Sequence, residues 1–205
     1  MSRQLDVNSY SSANAIAVAG LNLALSFENA SVERLEKRMS ETIVPEVKQK
    51  IIHHLDQTKN QQERLRERIK VLGMGMEPTS DKGRLPIPEP PQKLKMMIES
   101  SSSDKEREVW ESLNDLIVER AEAIMYRGGI EALQLLKADK KTIKALVKNL
   151  NEEEAFGDWL ERNNPKIAKR LLTKQIEEKK QGKKKMTKKI QEEKEEEEAV
   201  SAVAV

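Results

Sequence analysis

In the run Val118–Tyr126 a glutamate stands where a helix would place a core residue. Val109, Leu113, Leu116, Ala123, Tyr126, Ile130 and Leu133 recur at steps of three and four, apart from one gap, and Glu119 fills the gap. Steps of that size put side chains on one face of an α-helix, the face that packs against a neighbour. Glu122 lies one turn beyond, so both carboxylates can reach one point. Buried without a partner, each is costly and shifts its pKa to shed charge. A chain with this pattern either turns these groups to water or sets something cationic between them.

Three further stripes share the feature. Leu21, Leu25, Val32, Leu35 and Met39 keep helical spacing, and the member that completes them is Glu28. Ile143, Leu146, Leu150, Gly157 and Leu160 do the same around Glu153. Val47, Ile51, His54, Thr58, Gln61, Leu65 and Leu72 form a stripe with apolar ends and a polar middle. The sequence thus predicts four long helices, each apolar towards its ends and polar halfway along.

Local signals set where these helices start and stop. Pro45 suits a first helical position, so the first two helices meet in the short turn Thr42–Val44 and run antiparallel. Gly73 marks the end of the second. Residues 73–103 hold Gly73, Gly75, Pro78, Gly83 and the run Leu85–Pro91, which together forbid a continuous helix, although Leu94–Ile98 suits a helical turn. Ser103 and Glu106 have capping-box spacing ahead of the third helix, which fades near Leu136. Asp139 caps the fourth, and Asn163-Asn164-Pro165 ends it, with Lys166–Leu172 suited to a further helical turn or short helix. Two short connections around one long one describe an all-α chain, a ferritin-like four-helix bundle with one long crossover. Depth agrees with this. Glu28 lies about 16 residues before the first turn, and Gln57 to Gln61 lie about 13 to 17 after it. Glu122 lies about 17 before the second turn and Glu153 about 14 after it. The polar positions therefore meet at one level, where such bundles build carboxylate metal sites.

Composition decides what surrounds the bundle. Net charge is +2, but from Lys166 onward there are 12 Lys/Arg against 8 Asp/Glu, leaving 25 against 27 in residues 1–165. A nearly neutral body gives no reason to expect nucleic acid, and the lysines of 179–189 are followed at once by the glutamates of 192–198. The expected layout is a disordered N-terminus over 1–12, the bundle over 13–164 and a charged, mobile tail over 165–205. Ala13–Phe27 is too short for a membrane span and lacks the basic start of a signal peptide, so it reads as the apolar half of the first helix. Being apolar nearly all round, it is expected to lie partly in a homodimer interface. The chain has no cysteine, which removes disulfides and thiolate metal sites and suits a reducing cytoplasm.

These residues resemble the YciE/YciF-like branch of ferritin-like proteins, from Leu21 to Leu160. The third-helix pattern of that branch, Glu-x-x-Glu followed by Tyr, is matched by Glu119, Glu122 and Tyr126. Its fourth-helix pattern of paired glutamates, an acid and a leucine is matched by Glu152, Glu153, Asp158 and Leu160. Its second-helix pattern is similar to His54-Leu55-Asp56-Gln57-Thr58 with Arg64-Leu65, and the same alignment sets the first-helix glutamate on Glu28. The resemblance implies a four-helix bundle, commonly dimeric and stress-associated, with a metal site. In this sequence that site is Glu28, His54, Glu119, Glu122 and Glu153. Its oxygen-rich set with one imidazole favours iron or manganese over a zinc site closed by thiolates. Gln57 departs from the pattern, since it stands where the family has a second acid and an amide is a poor iron ligand.

Two function classes stay open at this point. One is a metal-binding protein that handles iron or an oxidant under stress. The other is a non-catalytic helical scaffold or interaction module, whose polar layer specifies register and partner choice. Taken singly, His54 reads as a satisfied core histidine and Tyr126 as a packed aromatic with a bonded hydroxyl.

Overall fold

A computed structural model describes the backbone of residues 7–73 and 90–203, with side chains over 13–73 and 90–192. It has five helices and, among the described residues, no strand: α1 Val7–Glu41, α2 Pro45–Leu72, α3 Gln92–Glu99, α4 Asp104–Leu135 and α5 Lys140–Val203. The stop and start signals act as the sequence predicts. Pro45 opens α2 behind an extended Val44, and the Gly73 N–H closes it on the Ile69 carbonyl at 2.7 Å. The Ser103 hydroxyl accepts from the Glu106 N–H at 3.2 Å. Glu106 reaches back to the Ser102 N–H at 3.0 Å, one residue further out than a strict capping box. Asp139 accepts from the N–H groups of Lys141 and Thr142 at 3.0 and 3.1 Å, a side-chain cap for α5. The turn before it sets Lys137 at φ 54°, so that the Ala138 N–H returns to the Leu133 carbonyl at 2.9 Å.

One expected boundary is wrong. α5 does not stop at Asn163-Asn164-Pro165 but continues through Pro165 for 64 residues in all. A proline inside a helix removes one backbone bond and disfavours the turn before it. Here packing outweighs that local cost. Ile167 and Leu171 are 4% and 8% exposed, in one cluster with Leu35, Val47 and Ile51. Beside the proline, the Asn164 amide donates to the Ser112 carbonyl of α4 at 2.7 Å. The packed body therefore extends past residue 164. At the other terminus α1 already begins at Val7, while residues 1–6 lie outside the described residues. Most of the expected crossover, 74–89, also lies outside them, and α3 supplies the helical turn expected at Leu94–Ile98.

Paired side chains reveal the helix directions. Glu36 meets Lys59 at 3.4 Å and Asn29 meets Gln62 at 2.8 Å, so α1 and α2 are antiparallel. Ser112 with Asn164 and Arg127 with Glu154 show the same for α4 and α5. Across the two hairpins, Arg38 with Asp115 and Ser31 with Glu122 set α1 against α4. Arg64 with Asn149 and Glu46 with Arg170 set α2 against α5. α2 ends where Leu65 and Ile69 cluster with Ile130 and Leu133 near the end of α4. α4 begins at the opposite end, where Glu108 accepts from Thr42. The chain thus passes from one end of the bundle to the other between Gly73 and Asp104.

The bundle has two apolar cores with a polar layer between them. One core is built around Leu21, Leu25, Leu65, Tyr126 and Ile130, and the other around Leu35, Val47, Ile51, Phe156 and Leu160. Between them lie Glu28, Ser31, His54, Gln61, Glu119, Glu122, Asn149 and Glu153, each at most 2% exposed. The segment Ala13–Glu41 holds a window long and apolar enough to cross a membrane, at mean hydropathy 1.3, and 56% of that window is buried inside the bundle. Its outer face stays open: Ile16 and Leu23 are 58% and 48% exposed. They border an apolar groove of about 300 Å³ that Gly20 shares with Met125, Gly129 and Ala132 of α4.

Candidate metal centre

Three side chains from three helices converge in the polar layer. His54 of α2, Glu119 of α4 and Glu153 of α5 each offer a ligand atom, all within 4.8 Å of one another. His54 Nε2 lies 2.9 Å from Glu119 Oε2 and 3.3 Å from Glu153 Oε2. Apart from the His54 ring, both oxygens are buried without a hydrogen-bond partner. On its other side, His54 Nδ1 lies 3.3 Å from Gln57 Oε1. A proton on Nδ1, donated to the Gln57 carbonyl, leaves Nε2 with a lone pair aimed at two carboxylate oxygens. Three acceptors cannot face one another across a dry space unless a proton or a cation lies between them. Ligands about 2.1 Å from one ion sit about 3.0 to 3.4 Å apart for right-angled to tetrahedral arrangements, which these separations fit.

Two more carboxylates border the group. Glu28 Oε1 accepts from the Tyr126 hydroxyl, which itself accepts from the Asn149 amide at 2.9 Å, and Glu28 Oε2 has no hydrogen-bond partner. Glu122 Oε1 accepts from the Ser31 hydroxyl. Gln61 donates to Glu153 Oε1 at 2.5 Å and to Glu152 Oε2 at 3.2 Å, while its own carbonyl oxygen is also unpartnered. The Phe156 ring closes the opposite side of His54 at a centroid distance of 4.4 Å.

Burial and mutual repulsion sort the charges. Burial, then the Glu153 and Glu122 carboxylates, push the Glu28 pKa well above the usual range. Burial, then Glu153 and Glu119, do the same to Glu122. Glu153 is raised by burial and by Glu119, against the pull of His54. Glu119 goes the other way: burial would raise it, but His54 and Arg34 outweigh that and hold it at about 2. Burial would likewise depress His54, yet Glu119 and Glu153 lift the ring well above its ordinary value. Without another cation, one carboxylate stays charged against His54 and Arg34, and its neighbours hold protons.

The α1–α4 seam carries a second polar device that apolar periodicity does not reveal. Arg34 bridges Glu119 and Asp115, the latter at 2.9 Å. Arg38 bridges Asp115 at 2.9 Å and Glu108 at 3.1 Å, and Glu108 also accepts from Thr42. On α4 the buried row is Glu108, Ser112, Asp115, Glu119, Glu122 and Tyr126. Leu113, read from the sequence as part of the stripe, is 39% exposed. The helix is turned so that its polar row faces the arginines of α1.

All five residues singled out in the sequence are buried in this one layer. His54 stands between Glu119 and Glu153. Gln57, read as a lost ligand, faces the far nitrogen of the ring, the place from which a neighbour fixes its tautomer. Ser31, Arg34 and Asn149 went unread, although Ser31, Arg34 and Arg38 are themselves spaced by three and four along α1.

A family model described as a domain of unknown function (DUF892) matches residues 16–173. Among solved structures, YcfI of Rhodopseudomonas palustris, whose description suggests a structural role, is similar at 21% identity and a TM-score of 0.58. The likeness covers 78% of this chain and 97% of that one, and it concerns the fold. No curated protein matches.

Proposed function

The chain belongs to the family described as a domain of unknown function (DUF892), and from that premise we propose that it is a ferritin-like metal-binding protein, taking iron or manganese. One observation carries the reading: an imidazole nitrogen and two carboxylate oxygens converge in a dry layer, with both oxygens left without hydrogen-bond partners apart from the His54 ring. His54, Glu119 and Glu153 hold the metal, and Glu28 and Glu122 adjoin it. Imidazole with carboxylates suits iron or manganese, and such a centre supplies Lewis-acid or redox chemistry when loaded. Gln57 orients the His54 ring, Arg34 holds the far oxygen of Glu119, and Tyr126 and Ser31 hold Glu28 and Glu122 towards the layer. The apolar cores on both sides keep bulk water away. Handling of iron or of an oxidant under stress is the finer role consistent with this centre.

The observation that favours the scaffold reading is that Arg34 and a protonated His54 can neutralise Glu119 without metal. Anaerobic titration of the purified full chain with ferrous and manganous ions separates the two. Metal binding should raise the melting temperature by stabilising the folded state alone. Glu119→Ala and Glu153→Ala should each abolish that gain while remaining folded. No uptake and no stabilisation by either ion would leave the scaffold reading in place.

A further inference from the structure

α5 outruns the bundle that holds it. Glu178 still pairs with Lys105 at the start of α4. The helix nevertheless continues to Val203, a further length of about 37 Å at the usual rise. From Ile176 to Glu192 every residue is exposed, including Ile176, Met186 and Ile190 at 54%, 68% and 45%.

The charges within this segment do not support a lone helix. Lys179 with Lys183, Lys180 with Lys184 and Lys184 with Lys188 put like charges one turn apart, and so do Glu192 with Glu196 and Glu193 with Glu197. Where the two blocks meet, Lys188 precedes Glu192, which it approaches at 3.4 Å, and this is the weaker order for such a pair. Both blocks would be relieved by an opposite charge supplied from outside.

We propose that this extension pairs, antiparallel, with the same segment of a second copy of the chain. Alternating steps of four and three connect Leu172, Ile176, Lys179, Lys183, Met186 and Ile190, and the same steps continue through positions 193, 197 and 200. That is the spacing of a two-helix seam. Setting Met186 opposite Ile190 of the second copy fixes every other layer. Lys183 then meets position 193 and Lys179 meets position 197, both glutamates, while Ile176 meets position 200, a valine. Each layer is thus apolar on apolar or lysine on glutamate, and two-fold symmetry makes each occur twice. A parallel pair would set Lys179, Lys183, Glu193 and Glu197 each against its own like. The sequence therefore selects the antiparallel partner and disfavours the parallel one. Nucleic acid or an anionic membrane would satisfy the lysines but repel the glutamates that follow them, whereas a second copy satisfies both.

The full-length chain tests this by sedimentation equilibrium at several salt concentrations, with two charge-reversed variants, Lys179→Glu/Lys183→Glu and Glu193→Lys/Glu197→Lys. The native chain should dimerise and weaken as salt rises. Each variant alone should lose self-association by about tenfold or more, and an equimolar mixture of the two should recover it as a heterodimer. Unchanged melting of the bundle in both variants keeps the comparison clean. A monomeric native chain at micromolar concentration would overturn the proposal. So would a dimer that both variants retain, which would place the interface elsewhere, for example on the apolar groove of α1 and α4. Binding of a DNA duplex that Lys179→Glu/Lys183→Glu abolishes, without self-association, would assign the lysines to nucleic acid instead.

Discussion

Around His54 four carboxylates share a space closed to water, and their titration is readable as stability. Glu28, Glu122 and Glu153 have raised pKa values through burial and one another, and His54 is raised by Glu119 and Glu153 despite burial. For every one of these groups the metal-free folded state binds protons more tightly than the unfolded chain does. Stability contributed by them is present below their unfolded values and is lost as pH rises through the folded ones. Glu119, held at about 2, has the opposite sign: its contribution is complete above the ordinary carboxylate range and fades as pH falls towards that value. Metal-free protein should therefore gain stability on acidification from neutrality to about pH 5, then lose it in more acid solution. Urea unfolding midpoints across that range, without metal, measure this directly. Metal must displace those same protons, so the stabilisation by metal should run the other way and grow with pH. Parallel midpoint curves with and without metal would contradict the arrangement.

At the scale of the helices, the seam between α1 and α4 is apolar around Leu21, Leu25, Tyr126 and Ile130 and ionic around Arg34 and Arg38. Arg38, Glu108 and Asp115 are 4%, 3% and 1% exposed, and the arginine bridges both carboxylates. Asp115→Ala would take one acceptor from Arg34 and one from Arg38 at once. Arg34 keeps Glu119 and Arg38 keeps Glu108, so the loss in urea denaturation of the metal-free protein should fall below the roughly 3–5 kcal/mol of a buried charge stripped of its only partner. Replacing Arg38, Glu108 and Asp115 together by apolar residues of similar volume should cost less than the sum of the three single losses, because these charges leave with their partners. This seam also shows where reading the sequence succeeds and where it stops. Glu28, Glu119 and Glu153 were legible because each interrupts an apolar stripe, and the turns at Pro45 and Asp139 because their chemistry is local. Arg34, Arg38 and Asp115 were not, because a stripe of charges looks like a solvated face until its complement on another helix is known. Pro165 misled for the same reason: the burial of Ile167 and Leu171 that overrides it comes from α1 and α2, far away in sequence.

At the scale of the whole molecule, α5 belongs to two regimes along one uninterrupted helix. Up to Leu171 it is part of the packed body, and from Ile176 to Glu192 it is a charged rod exposed at every residue. The position of that change decides what a shortened chain can do. A chain ending at Lys174 keeps every buried residue of the second core, so its thermal unfolding should match that of the full length within a few tenths of a kcal/mol. A chain ending at Asn164 loses Ile167 and Leu171, and with them about 3–6 kcal/mol at about 1.5–3 for each buried aliphatic side chain. Against a total of roughly 5–15 kcal/mol for a domain, that loss leaves the shorter chain marginal or unfolded. Circular dichroism melts of the two truncations, with the helical signal scaled for the residues removed, distinguish the cases. Equal stability of both would mean that Pro165 does end the packed body, and that Ile167 and Leu171 contribute nothing to it. A cooperative 1–174 beside a poorly folded 1–164 would place the edge of the domain one to two turns beyond the proline, where burial rather than local sequence sets it.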